Sequence, residues 1–189
     1  PAPPAAERPA PFRQLIARLE SGGPARPDGG YGARNPASGA LGRYQMLPVA
    51  LRDIGWQDAA GGWTPLAAGH GARSEAEFLA APAAQEAAMS AFLRRAEVQL
   101  GRNGSLARTG GSIGGLDGAP VPLTDAGLVA AAHRSGAQSV ARYLAFVGNG
   151  AETPLSAADR NTFAAVERRL RQFAELPYQV ASRRGPREA

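Results

Sequence analysis

The recurrence of apolar residues at helical spacing, cut off each time by glycine or proline, constrains this chain more than any other feature. Phe12, Leu15, Ile16 and Leu19 fall at i, i+3, i+4 and i+7, which predicts a helix over Phe12–Ser21, stopped by Gly22-Gly23-Pro24. Pro48 opens a short helix through Leu51 and Ile54 that Gly55 ends. Ser74-x-x-Glu77 has the form of a capping box ahead of Phe78 and Leu79. Pro82 suits the first turn of a longer helix whose apolar face runs Met89, Phe92, Leu93, Ala96, Leu100, with Gly101 as its stop. Downstream, Thr124 caps a helix through Leu128, Ala131, Ala132 and Ser135, ended by Gly136. Val140, Leu144 and Val147 line the next, closed by Gly148. Ser156-x-x-Asp159 starts a last one with Phe163, Val166, Leu170 and Phe173 on one face. Six or seven helices make a mainly α chain.

The stretches between are as telling. Residues 22–42 are rich in Gly and Pro with no apolar period, and predict a long irregular loop of the kind that usually carries function. Residues 56–73 read as irregular too. Asp117-Gly118, between Ile113 and Val121-Pro122-Leu123, is a hairpin signal, so a small two-stranded flap is expected there. Residues 1–11 form a Pro/Ala-rich leader, and from Pro177 a basic tail is expected to fray. One domain over residues 12–176 remains.

Composition narrows the chemistry. With no cysteine there is no disulfide, no thiolate and no Cys-based zinc site, and two histidines do not suggest a metal cage. Neither a metal nor a cofactor is expected, and carboxylates are left to do any catalysis. All 21 basic residues are arginine against 16 acids, a net charge of +5. Such a charge suits nucleic acid, anionic lipid or anionic wall polymers. The arginines are scattered, however, clustering only at Arg94-Arg95, Arg168-Arg169-Arg171 and Arg183-Arg184, without interleaved aromatics to stack bases. Nucleic acid is therefore not an expected partner. No apolar run reaches the length of a bilayer span. The chain opens on Pro1-Ala2-Pro3-Pro4 without Met, from which a processed, exported form is expected.

Three motifs stand in order. Glu20-Ser21-Gly22-Gly23 puts an acid at the end of the first helix. Gly39-Ala40-Leu41-Gly42-Arg43-Tyr44-Gln45 makes a Gly-x-x-Gln turn, and Ala131-Ala132-His133-Arg134-Ser135-Gly136 closes a later helix. The first two resemble the signature of the lysozyme-like superfamily, in its soluble lytic transglycosylase and goose-type lysozyme group. The third resembles that group's Ala-Tyr-Asn-x-Gly motif, with His133 in place of Tyr and Arg134 in place of Asn. Asn35-Pro36-Ala37-Ser38-Gly39, Phe78-Leu79-Ala80-Ala81-Pro82-x-x-Gln85-Glu86 and Leu123-Thr124-x-x-Gly127-Leu128 extend the likeness, to phage-tail-associated and secreted bacterial members.

The resemblance implies a lysozyme-like fold with a small β-hairpin, and cleavage of peptidoglycan between N-acetylmuramic acid and N-acetylglucosamine. Glu20 would be the general acid and base. Protonating a poor leaving-group oxygen suits a carboxylic acid held against apolar surroundings. A lytic transglycosylase needs no second carboxylate: the substrate's N-acetyl group supports the oxocarbenium centre, and the same Glu closes a 1,6-anhydro ring. Among neighbouring acids, Asp28 and Asp53 have no spacing argument for the partner role. By analogy Ser21, Tyr44, Gln45 and His133 contact substrate, although Ser21 also suits a helix cap, Tyr44 simple packing and His133 a helix end. His70, between glycines, reads as an exposed loop residue. The implied partners are peptidoglycan glycan strands and an envelope-spanning or phage-tail-like assembly, in the periplasm or outside the cell. A hydrolytic lysozyme and a degenerate, non-catalytic glycan-binding scaffold module stay open as alternatives.

Overall fold

A computed structural model describes residues 10–150 and 154–181; the leader residues 1–9 and the Arg183-Arg184 segment lie outside them. The protein is mainly helical, with eight α-helices and two small antiparallel sheets among the described residues. The chain divides into two compact units, Pro1–Ala88 and Met89–Ala189, the division falling inside one helix. Among the described residues no helix is long and apolar enough to cross a membrane.

In the first unit, α1 spans Pro11–Ser21 with Pro11 in its first turn, and ends where Gly22 takes the left-handed conformation at φ 76°. Its inner face buries Phe12, Ile16 and Ala17, whereas Leu19, expected on that face, is 40% exposed. A single 3-10 turn, Gly23–Ala25, follows. The region 22–42 is not wholly irregular: β1 (Arg34–Asn35) pairs antiparallel with β2 (Ala40–Leu41), Arg34 opposite Leu41 and Asn35 opposite Ala40. Asn35 nucleates this tight hairpin, its Oδ1 accepting the amides of Ala37 at 3.0 Å and Ser38 at 3.3 Å. The short α2 (Pro48–Asp53) is where proline and apolar spacing place it.

Within 56–73 lies a helix that periodicity does not reveal, α3 (Pro65–Gly69), with Thr64 as its cap and only Ala67 buried. Thr64 also donates to the Gly55 carbonyl at 2.7 Å, so a single hydroxyl fixes the helix start and the loop before it. In α4 (Glu75–Ala80), Ser74 accepts from the Glu77 amide at 3.1 Å; the Glu77 carboxylate accepts from the Arg73 amide at 2.7 Å, one residue outside the usual capping box. Trp56 and Phe78 meet edge to face at 6.1 Å in the core, and His70 stacks on Trp56 at 5.0 Å while remaining exposed.

The helix α5 spans Pro82–Arg102 and runs straight through Gly101; the left-handed glycine is Gly104, at φ 79°. In the second unit α6 (Asp125–Ser135) packs against α7 (Ala137–Gly148) and α8 (Ala157–Gln172), burying Leu128, Val129, Val140, Tyr143, Val166 and Leu170. The expected hairpin is present as β3 (Ser112–Gly114) and β4 (Pro120–Pro122). Its tip is anchored: Glu167 of α8 accepts the Leu116 amide at 2.8 Å and the Tyr143 hydroxyl at 2.9 Å, and Arg171 donates to the Pro120 carbonyl at 2.7 Å.

Contrary to the expected fraying from Pro177, the segment up to Ala181 is tied down. Val180 is fully buried, its amide 3.3 Å from Asp125 Oδ2, and Glu97 accepts both the Tyr178 hydroxyl and the Ala181 amide. These partners are far away along the chain, which is why local sequence gave no sign of them.

Candidate functional site

The C-terminus of α1 opens onto a cleft of about 520 Å³ whose walls lie within the first unit. Glu20, Ser21 and Gln45 line it together with Arg26, Arg34 and Asn35, and among its lining residues Glu20 is the sole acid. The first two sequence motifs, twenty-odd residues apart, thus meet at one surface.

Ser21 explains how they meet. Its hydroxyl is 2.8 Å from the Arg43 carbonyl and 3.1 Å from Ala17 O, and it accepts the Gly23 amide at 3.2 Å. With one proton to give, the shorter bond to Arg43 joins the end of α1 to the Gly42–Gln45 turn. Ser21 is buried, so its main visible work is to hold Glu20's helix end against that turn. Gly23 completes the motif: at φ 31°, a Cβ there would come within 2.7 Å of the Ala17 backbone.

The turn itself is tightly specified. Leu41 and Met46 exchange amide–carbonyl bonds of 3.0 and 2.9 Å around Gly42-Arg43-Tyr44-Gln45. Gly42 is at φ 73°, and a Cβ on it would lie 2.1 Å from Gln85 Oε1. Among the described residues Gln45 is the one non-glycine with positive φ, at 48°. Such a conformation costs on the order of 1–2 kcal/mol and survives only where surroundings enforce it. The Gln45 side chain donates to Gly42 O at 2.9 Å, which leaves its carbonyl oxygen and second amide hydrogen to the cleft.

Two residues of α5, quoted above only as part of a likeness, hold the turn from beneath. Gln85 is buried and satisfied at both ends, accepting the Arg43 amide at 2.8 Å and donating to Tyr31 O and Phe78 O, each at 2.9 Å. Glu86 gathers the Tyr44 hydroxyl at 2.6 Å, the Tyr31 hydroxyl at 2.9 Å and the Arg13 guanidinium at 2.7 Å. Burial and the Glu86 carboxylate push the Tyr31 phenol up to about 12 and the Tyr44 phenol further in the same direction, so both stay protonated donors. The Arg43 guanidinium is buried between the two rings, 5.1 Å from the Tyr31 centroid and 5.8 Å from that of Tyr44, and donates to Gly29 O. Helical spacing shows the α5 face but not which of its polar residues point inward.

Tyr44 accordingly sits under the turn, 1% exposed and outside the cleft lining, in the packing role. Asp28 is taken up by its own loop, with its two oxygens accepting the Gly30 amide at 2.9 Å and the Gly32 amide at 2.8 Å; these bonds hold it below the usual carboxylate range. Asp53 ends α2 and is exposed. Neither lines the cleft.

His133 belongs to the second unit, in the last turn of α6, edge-on to Phe92 of α5 with ring centroids 5.6 Å apart. Desolvation first, then the positive charges of Arg169 on α8 and Arg134 beside it, push its imidazole down to about 3. A helix C-terminus favours a cation, but here desolvation outweighs it. His133 is a neutral imidazole at ordinary pH.

Among the described residues no group of three or more His, Asp or Glu could hold a metal ion. Comparison with protein-family models, with curated proteins and with solved structures returns no match.

Proposed function

We propose that the protein cleaves the glycan strands of peptidoglycan in the manner of a lytic transglycosylase, on a lysozyme-like fold, with Glu20 as its one general acid and base. The observation that supports this most is the convergence of Glu20, Ser21 and Gln45 on a single cleft in which Glu20 is the sole acid. A hydrolytic route of the usual kind pairs two carboxylates across the scissile bond, roughly 5–9.5 Å apart. Asp28 is bound by backbone amides and Asp53 is elsewhere, so the single-acid route fits these residues better.

In that route the Glu20 carboxylic acid gives its proton to the glycosidic oxygen as the bond to the anomeric carbon breaks. The substrate's own N-acetyl oxygen supports the positive charge. The Glu20 carboxylate then takes the proton of the muramoyl 6-hydroxyl as that oxygen attacks the anomeric carbon, giving a 1,6-anhydro end and returning the acid. Gln45 offers an amide oxygen and N–H to the sugar. Ser21 keeps Glu20 and Gln45 in register through the Arg43 carbonyl. Strands of the periplasm or the outer wall are the substrate on this reading, within an envelope-spanning or phage-tail-like assembly.

Zymography on purified cell walls, wild type against Glu20→Gln, tests the proposal. Clearing by the wild type alone supports it. A variant that retains a tenth of wild-type activity removes Glu20 from the chemistry, and a wild type that binds walls without clearing them makes the protein a scaffold.

A further inference from the structure

An asparagine or aspartate followed by glycine is chemically labile, because glycine has no Cβ to keep its amide nitrogen from closing on the side-chain carbonyl. The chain has four such pairs: Asp28-Gly29, Asn103-Gly104, Asp117-Gly118 and Asn149-Gly150. In the first three the side chain is engaged. Asp28 accepts the Gly30 and Gly32 amides. Asp117 accepts the Ala119 amide at 2.9 Å and meets Arg171 at 3.3 Å. Asn103 donates from Nδ2 to Ala137 O at 2.9 Å and accepts the Ser105 amide at 3.1 Å. Asn149 is exposed, and among the described residues no hydrogen bond holds its side chain.

The two asparagines are otherwise a matched pair. Each follows the last residue of a helix, Asn103 after α5 and Asn149 after α7. Their amides donate back four residues, Asn103 to Gln99 O at 3.1 Å and Asn149 to Ala145 O at 3.0 Å. The glycine after each is left-handed, Gly104 at φ 79° and Gly150 at φ 81°, with its amide 3.2 Å from the carbonyl three residues back. The backbone is the same at both, and only the side chains differ.

We propose that Asn149 is a site of spontaneous deamidation, where water converts the amide to aspartate and isoaspartate, and that the bonds of Asn103 protect it. The Gly150 amide gives its proton to a solvent base, and its nitrogen attacks the Asn149 side-chain carbonyl carbon. That bond forms as the Cγ–Nδ2 bond breaks; Nδ2 takes a proton and leaves as ammonia, and a succinimide ring remains. Water then opens the ring at Cγ to give aspartate, or at the main-chain carbonyl to give isoaspartate, whose backbone runs through the side chain. Either product puts a carboxylate at the C-terminal end of α7, where the helix dipole is already negative, and lowers the net charge by one from +5. Asn103 must first lose both of its bonds, which slows it by on the order of tenfold or more.

The test holds the full chain in mildly alkaline buffer and follows the arginine-bounded peptides 143–160 and 103–108 by mass spectrometry, so that both asparagines are read in one sample. Deamidation registers as the mass of NH exchanged for O. In the folded protein Asn149 should convert about tenfold faster than Asn103 or more. Isoelectric focusing should show a slowly growing acidic species that Asn149→Gln abolishes. In strong denaturant the two rates should converge, because each asparagine then has the same glycine neighbour and no fold around it. Equal rates in the folded protein, a difference that persists in denaturant, or an Asn149 that converts only once unfolded would each overturn the proposal.

Discussion

Gln45 holds a conformation that its side chain does not favour, and this allows strain and function to be separated at a single residue. Gln45→Gly suits φ 48° and relieves the left-handed penalty, while it removes the amide from the cleft. Melting temperature should stay level or rise, and activity on polymeric peptidoglycan should fall about ten- to a hundredfold, as for a positioning contact. A loss of stability in proportion to activity would mean that the side chain only props the turn. Glu20→Gln is near-isosteric but cannot deliver a proton, so activity should drop about a thousandfold or more with an unchanged melt.

Elements expose what a local pattern can and cannot carry. The helices with an apolar stripe and marked ends, α1 between Pro11 and Gly22, and α6 and α8 behind the caps Thr124 and Ser156, are legible because a few residues within one turn decide them. The α3 helix is not, since five residues with one buried alanine have no period to read. Gly101 reads as a stop because glycine is a poor helix former, a cost of about 1 kcal/mol that packing along α5 overrides. The Glu20, Ser21 and Gln45 surface was legible as motifs, whereas Gln85 and Glu86 beneath it depend on contacts some forty to seventy residues distant.

Two outcomes follow at this scale. Glu86→Ala removes the carboxylate that accepts from the Tyr31 and Tyr44 hydroxyls and from Arg13, so denaturant unfolding should show a loss of about 2 kcal/mol or more. His133, on α6 and against Phe92 of α5, is expected to make the fold acid-sensitive. Its folded pKa lies below its unfolded one, so between about 6.5 and 3 the unfolded chain binds the extra proton and stability falls with pH. His133→Gln should flatten the stability–pH curve in that window, by up to about 1.4 kcal/mol per pH unit. Curves that stay parallel would mean that the imidazole is not held neutral.

At the scale of the whole molecule, the proposed substrate is a long anionic polymer, and a net charge of +5 is compatible with it. In the proposed reading Glu20 carries the bond-breaking step. The decisive measurement is mass spectrometry of the soluble fragments released from purified peptidoglycan, since anhydro and reducing ends differ by one water. The account predicts fragments ending in 1,6-anhydro-N-acetylmuramic acid from the wild type and none from Glu20→Gln. Fragments with reducing ends alone, or release undiminished in the variant, would contradict it.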